Sequence, residues 1–207
     1  MNIVNTYKDE RKFPKSMTKK LDMEKIIIAV EKCRKCDLCR TRNNTVSGDG
    51  SIDTDILFIG EAPGRNEDLQ GKPFVGRAGK ILDELIESIG LQRDQVYIAN
   101  IIKCRPPQNR NPTKEEIDIC VGYLNKQIEI IQPKIIACLG SFATSYIFEK
   151  YGLKPVKIGK VHGKIFSVNT VFGEIKIIPL FHPAVATYNI NTKKVLIDDF
   201  KSLKQFV

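Results

Sequence analysis

The segment Asp55-Ile-Leu-Phe-Ile-Gly-Glu-Ala-Pro-Gly64 is a short aliphatic run that stops at a glycine and enters a Gly/Pro loop. A run of that length, apolar at consecutive positions, reads as a strand covered on both faces. Three further runs share its character: VYIANII at 96–102, KIIACL at 134–139 and IKIIPL at 175–180. Between them the period changes. Ala78, Ile81, Leu82, Leu85, Ile86 and Ile89 recur at helical spacing, with Gly90 as the stop. Thr113 and Glu116 after Pro112 form a capping box that opens a helix running to about residue 131. Gly140 and Ser141 open another helix, Thr192 caps a last one, Asp22 caps one at 22–32, and residues 156–172 predict a hairpin. Alternating strands and helices predict the α/β class, a mostly parallel sheet with helices on both faces. Ligands of such sheets bind beyond the carboxyl ends of the strands. Glu61, Asn100 and His182 stand at three of those ends.

The 207 residues suit one domain with a small appendage. Residues 1–20 carry six basic side chains against two acidic ones and no apolar period, which predicts a flexible basic tail before a single domain at 21–207. A chain 42% hydrophobic and 28% charged can bury a core, which excludes global disorder. Its longest aliphatic run, residues 26–30, is far short of a bilayer span, and the N-terminus has no apolar signal region. The expected location is therefore intracellular and cytoplasmic, with no membrane partner. The net charge of +9 fits a polyanionic partner such as nucleic acid, and equally a solvated Lys-rich surface.

Six cysteines without an export signal argue against disulfides. Cys33 and Cys36 form a C-x2-C pair, and Cys104 and Cys120 lie on two later segments. Four thiolates from distant segments can close on zinc or on an iron–sulfur cluster, and spacing does not separate the two. Cys39 extends the first run and is expected to be a spare. Cys138, inside an apolar strand, is expected to be an inert core thiol. Lys103, Arg105 and Arg110 flank Cys104 and are candidates to hold phosphates.

The loop after the first strand holds GEAPG (60–64) and GKPFVGRAGK (71–80), neither a dinucleotide fingerprint nor a P-loop. With the C-x2-C-x-L entry from Cys33 to Leu38, YIAN (97–100), KCRPPQNRNP (103–112), Cys120 and HPAV (182–185), it makes a set of motifs over about residues 33–203. That set resembles the iron–sulfur uracil-DNA glycosylases, the family 4 enzymes of thermophiles. The resemblance implies an α/β/α sandwich on a four-stranded parallel sheet. It implies a 4Fe–4S cluster on Cys33, Cys36, Cys104 and Cys120, and excision of uracil from DNA.

Under that resemblance Glu61, Ala62, Pro63, Phe74, Asn100 and His182 surround the extruded base. Phe74 stacks on it, and Asn100 offers the donor and acceptor that uracil O4 and N3–H require. His182 steadies the charge that develops at O2. Glu61 positions the attacking water, with Asp68 ranked second and Glu67 and Asp68 otherwise capping residues; His162 is read as a turn residue. Where the family 1 enzymes carry an Asp this chain has Ala62, and in place of their bulky Tyr it has Gly64. Val185 and Tyr188 are both open as the wedge into the duplex. The expected partner is uracil-containing DNA, bound by a monomer, with a recruiting partner such as a replication clamp left open. Two other functions compete: a catalytically silent DNA-binding module on the same fold, and an electron-transfer protein.

Overall fold

The computed structural model describes residues 15–187 and 190–206. Its six strands are β1 (Asp49–Gly50), β2 (Ile56–Gly60), β3 (Tyr97–Asn100), β4 (Ile135–Leu139), β5 (Phe166–Thr170) and β6 (Gly173–Leu180). Its helices are α1 (Lys15–Glu31), α2 (Arg65–Gln70), α3 (Arg77–Ser88), α4 (Lys114–Ile131), α5 (Ser141–Lys150), α6 (Ile158–Val161) and α7 (Ile190–Lys204).

Successive side chains of a strand face opposite sides, so a strand that is apolar throughout must be covered twice. Leu57, Ile59, Ile136, Cys138 and Ile177 face one side, where Met23 of α1, Leu124 and Ile128 of α4, and Ile147 and Phe148 of α5 meet them. Ile56, Phe58, Ile135, Ala137 and Ile178 face the other, against Leu82, Leu85 and Ile86 of α3 and Leu196 and Phe200 of α7. The result is a sheet between two helical layers.

The strand order is β1-β3-β2-β4-β6-β5. The inner four, β3, β2, β4 and β6, are parallel, and β1 and β5 pair antiparallel at the two edges. The expected four-stranded sheet is therefore six-stranded. Edge strand β1, two residues of a Gly/Asp stretch, was illegible, and β5, half-exposed and polar, was read only as part of the hairpin at 156–172. The chain leaves β2 for one neighbour, β3, and returns to the other, β4, so a crevice opens beyond their carboxyl ends.

Three other boundaries differ from expectation. Helix α1 begins at Lys15 rather than Asp22, inside the segment read as a tail; Lys19 Nζ ties it to Asp53 and to the Ile131 carbonyl. Residues 1–14 of that segment lie outside the described residues. Residues 156–172 contain the short helix α6 before β5, and the hairpin proper is β5–β6. Thr192 lies within α7, not at its cap. The Thr113–Glu116 capping box of α4 is present as read, with Thr113 Oγ1 accepting from Glu116 N–H at 3.2 Å.

Helix α7 is held by Phe200, which stacks on Phe58 at 5.8 Å and 11°, both rings fully buried. Phe200→Ala should lower the unfolding free energy by about 3–5 kcal/mol, read from urea titration; a loss under about 1 kcal/mol would mean that α7 packs without it.

Candidate active site

The β2–β3 pairing sets Gly60 beside Asn100 and continues past both strands. Ile101 N–H donates to the Gly60 carbonyl at 2.9 Å, and Ile102 N–H to that of Glu61 at 3.2 Å. This extension brings Glu61 alongside Asn100. A Cβ on Gly60 would stand 2.4 Å from Asn100 Oδ1 and 2.8 Å from the Phe74 ring, so only glycine lets the two meet. The six residues singled out around a base, Glu61, Ala62, Pro63, Phe74, Asn100 and His182, line one cleft of about 400 Å³. Glu67 and the loop residues Pro106, Asn109, Arg110 and Asn111 complete its wall.

Asn100 is 2% exposed, and its Oδ1 is the one buried side-chain nitrogen or oxygen without a hydrogen-bond partner among the described residues. An orphaned buried acceptor costs about 1–3 kcal/mol, and a ligand donor in the cleft relieves that cost. Phe74 is held at a positive φ of 50°, a conformation costing on the order of 1–3 kcal/mol for a non-glycine residue. Opposite charges clamp it there. Arg93 donates to the Phe74 carbonyl at 3.2 Å and to the Pro73 carbonyl, while Asp83 holds Arg93 at 2.7 Å. On the far side the Glu67 carboxylate accepts from Val75 and Gly76 N–H, both at 2.9 Å, and from Gly64 N–H at 3.1 Å. Gly79 completes the seat, since a Cβ there would lie 1.9 Å from the Phe74 carbonyl oxygen.

The Phe74 and His182 rings stack at 5.5 Å and 29°. His182 keeps one edge toward the cleft, yet burial pulls its pKa down to about 4, with the charge of Glu67 pulling the other way. The imidazole is therefore neutral at pH 7. Its Nδ1 accepts the Ala184 N–H at 3.2 Å, which leaves the proton on Nε2 and makes Nε2–H the ring's donor. Burial pushes the Glu61 carboxyl above its usual range. Asp68 takes no part in the cleft. It is 1% exposed and accepts from the Asn43 and Asn44 N–H groups at 2.9 and 3.4 Å, tying α2 to the loop after the first cysteines.

Cys33, Cys36, Cys39, Cys104 and Cys120 line a second, smaller hollow, so Cys39 stands with the other four. Arg42 Nη1 donates to Cys104 Sγ at 3.0 Å and Lys103 N–H to Cys120 Sγ at 3.3 Å. Among the described residues no three His, Cys, Asp or Glu side chains are drawn together tightly enough to hold a metal ion. Cys138 is fully buried in the core and its thiol is pushed far up by that burial. Of the basic residues around Cys104, burial takes only Lys103 out of reach of a phosphate. Lys103 is 1% exposed, Arg110 is bidentate on Glu116 at 2.6 and 2.9 Å, and Arg105 holds Asn109 Oδ1 at 2.7 Å. His162 lies away from the cleft, its Nδ1 2.8 Å from Asp199 and its ring 4.3 Å from that of Phe181.

Arg93 and the structural share of Glu67 escaped sequence reading, because nothing in a polar segment announces a carbonyl many residues away. The neutral state of His182 is directly measurable. Its imidazole resonances should titrate with a midpoint near pH 4, far below the ordinary value of about 6.5. The unfolded chain binds this proton first, so the group's effect on stability is absent above about pH 6.5 and destabilises progressively as pH falls toward 4. A midpoint at 6 or above would show the ring to be solvated.

Comparison with known proteins accords with this arrangement. The family model of the uracil DNA glycosylase superfamily matches residues 47–203. A type-4 uracil-DNA glycosylase of Saccharolobus solfataricus is 49% identical over 89% of this chain and 86% of its own length. Those of Archaeoglobus fulgidus and Thermotoga maritima are 46% and 43% identical, over 87% and 89% of this chain and 91% and 94% of theirs. The chain belongs to the uracil-DNA glycosylase superfamily, on its type-4 branch.

Proposed function

We propose that this chain is a monofunctional uracil-DNA glycosylase, hydrolysing the N-glycosidic bond of uracil in DNA and leaving an abasic site for base excision repair. The observation that carries the assignment of residues is the unpartnered Oδ1 of Asn100 in a cleft shared with Phe74, His182 and Glu61. Uracil presents N3–H as a donor and O4 as an acceptor, matching the two ends of one amide. Cytosine presents the reverse pair, so the same amide rejects it. An enzyme acting on a base must take it out of the stack, and Phe74 provides the ring against which it rests.

In the reaction the C1′–N1 bond breaks with its electron pair leaving on uracil, while water forms a new bond to C1′. Neutral His182 donates Nε2–H to O2, where the negative charge grows, and gives up no proton. Glu61 takes the proton of the attacking water; its raised pKa makes it a better base than an ordinary carboxylate. As an anion it also stabilises the cationic sugar. The exposed Val185, next to the cleft residue Ala184, is the described candidate for the wedge; Tyr188 lies outside the described residues.

The four family cysteines, Cys33, Cys36, Cys104 and Cys120, would hold a 4Fe–4S cluster, and the donor set fits it. They line one hollow, and N–H donors point at two of the sulfurs. Four thiolate donors with no histidine in the lining suit an iron–sulfur cluster. Bound there, it would join the cysteine run at 33–39 to Cys104 and to Cys120 of α4, and no catalytic step uses it. No helix among the described residues is long and apolar enough to cross a membrane. We read the enzyme as an intracellular monomer acting on DNA.

A uracil-containing oligonucleotide incubated with the protein and then treated with alkali should be cut at the uracil. Glu61→Gln should slow excision by about 10²- to 10⁴-fold. The acid limb of kcat/KM should fall above the ordinary Glu value, because the folded pKa is raised and the active form is the anion. Asp68→Asn should lower stability by about 1–3 kcal/mol while sparing the chemical step. Absence of strand scission by the wild type retires the activity, and full activity of Glu61→Gln retires the base.

The purified protein should be brown and contain iron. Removing the iron with a chelator under oxidising conditions should lower the unfolding temperature. A colourless, iron-free protein of equal stability would overturn the cluster.

A further inference from the structure

Lys103 adjoins a cysteine of the hollow, yet its side chain runs inward and is 1% exposed. Its Nζ donates to the main-chain carbonyl of Asn100 at 3.0 Å and to Gln127 Oε1 at 2.7 Å. Gln127, itself fully buried, donates through Nε2 to the Ser47 carbonyl at 2.7 Å and to the Tyr97 hydroxyl at 3.2 Å. The main chain of Lys103 faces the other way. Its N–H donates to Cys120 Sγ at 3.3 Å, and its carbonyl accepts from Val46 N–H at 2.8 Å.

A buried ammonium is costly, and packing alone would be served as well by Met or Leu. Here the charge is directed at the carbonyl of the residue whose side chain reads the base. Asn100 Oδ1 has no protein partner. Its direction must therefore be set by the backbone that carries it, and that backbone ends its strand at this carbonyl. We infer that Lys103 is a positioning residue: it clamps the main chain at Asn100 so that the amide meets uracil in one orientation, and it does so from the cysteine-bearing loop. The inference rests on the glycosylase reading and adds to it a physical link between the cysteine loop and base recognition. Lys103 touches no substrate; it acts through Asn100.

The test is a double-mutant cycle on the full-length, iron-loaded protein with Lys103→Met, Asn100→Ala and the pair. Readouts are kcat/KM on a uracil oligonucleotide and, independently of turnover, the affinity for free uracil by calorimetry. Lys103→Met should lower both by roughly tenfold, the low end for one charge-assisted hydrogen bond. In the Asn100→Ala background the same substitution should cost less than about threefold, because contacting residues that act as one unit are not additive. Thermal unfolding and visible absorption per chain check that Lys103→Met is folded and loaded. If it is not, Gln127→Met, which removes the side-chain partner of Nζ, is read in the same cycle. Unchanged uracil affinity, or equal losses in both backgrounds, overturns the inference while leaving the glycosylase reading intact. A wild type that neither cleaves nor binds uracil overturns that reading and this inference with it.

Discussion

The register between β2 and β3 is the constraint on which the site depends. Gly60 sits opposite Asn100, and the ladder runs on through the carbonyls of Gly60 and Glu61. A slip of one residue would turn Asn100 to the opposite face of the sheet and exchange the two layers of core side chains. It would also put a side chain where only a glycine lets the Phe74 ring and the Asn100 amide come together. Core packing on both faces thus holds the register that the chemistry needs, so stability and recognition are properties of the same pairing.

Around that pairing the molecule stores cost at few places and offsets it with charge. Phe74 has a backbone conformation that a large residue adopts rarely, and Arg93 and Glu67 hold its peptide groups from opposite sides. Lys103 is a cation in the interior, and Asn100 has an acceptor without a partner. Phe74 and Asn100 line one cleft, and Lys103 reaches it from behind through the Asn100 carbonyl. Strain and unsatisfied polarity gathered at one place are what preorganisation for a ligand looks like. Neutral His182 fits the same pattern: its surroundings remove a charge rather than supply one, so the ring offers a donor without repelling an oxocarbenium-like sugar.

The inner strands were legible because both faces of each are buried, which writes continuous apolar runs into the chain. Helix α4 was legible from Thr113 and Glu116, since a capping box is local chemistry. Of the edge strands, β1 was not, being two residues long, and half-exposed β5 was read only within the hairpin at 156–172. The start of α1 was missed for a similar reason: residues 15–21 show no apolar period, and their anchor is Lys19 reaching Asp53 and Ile131. Among the basic residues, sequence reading assigned Lys103, Arg105 and Arg110 to phosphates by charge alone. Burial reassigns Lys103 to the protein itself, while half-buried Arg105 holds Asn109 and exposed Arg110 holds Glu116.

By itself the amino-acid sequence determined the class of fold, the strand ends from which Glu61, Asn100 and His182 project, and a C-x2-C pair with two later cysteines able to join it. Each follows from local patterns, periodicity and spacing, which survive without knowledge of what lies across the sheet. Only the tertiary structure decided that Asp68 is a tie rather than a base, that His182 has its proton on Nε2 and Arg93 holds the Phe74 carbonyl, and that Lys103 serves a carbonyl rather than a phosphate. Those properties depend on which groups meet through space and on how much water is left between them, and neither quantity is written along a chain.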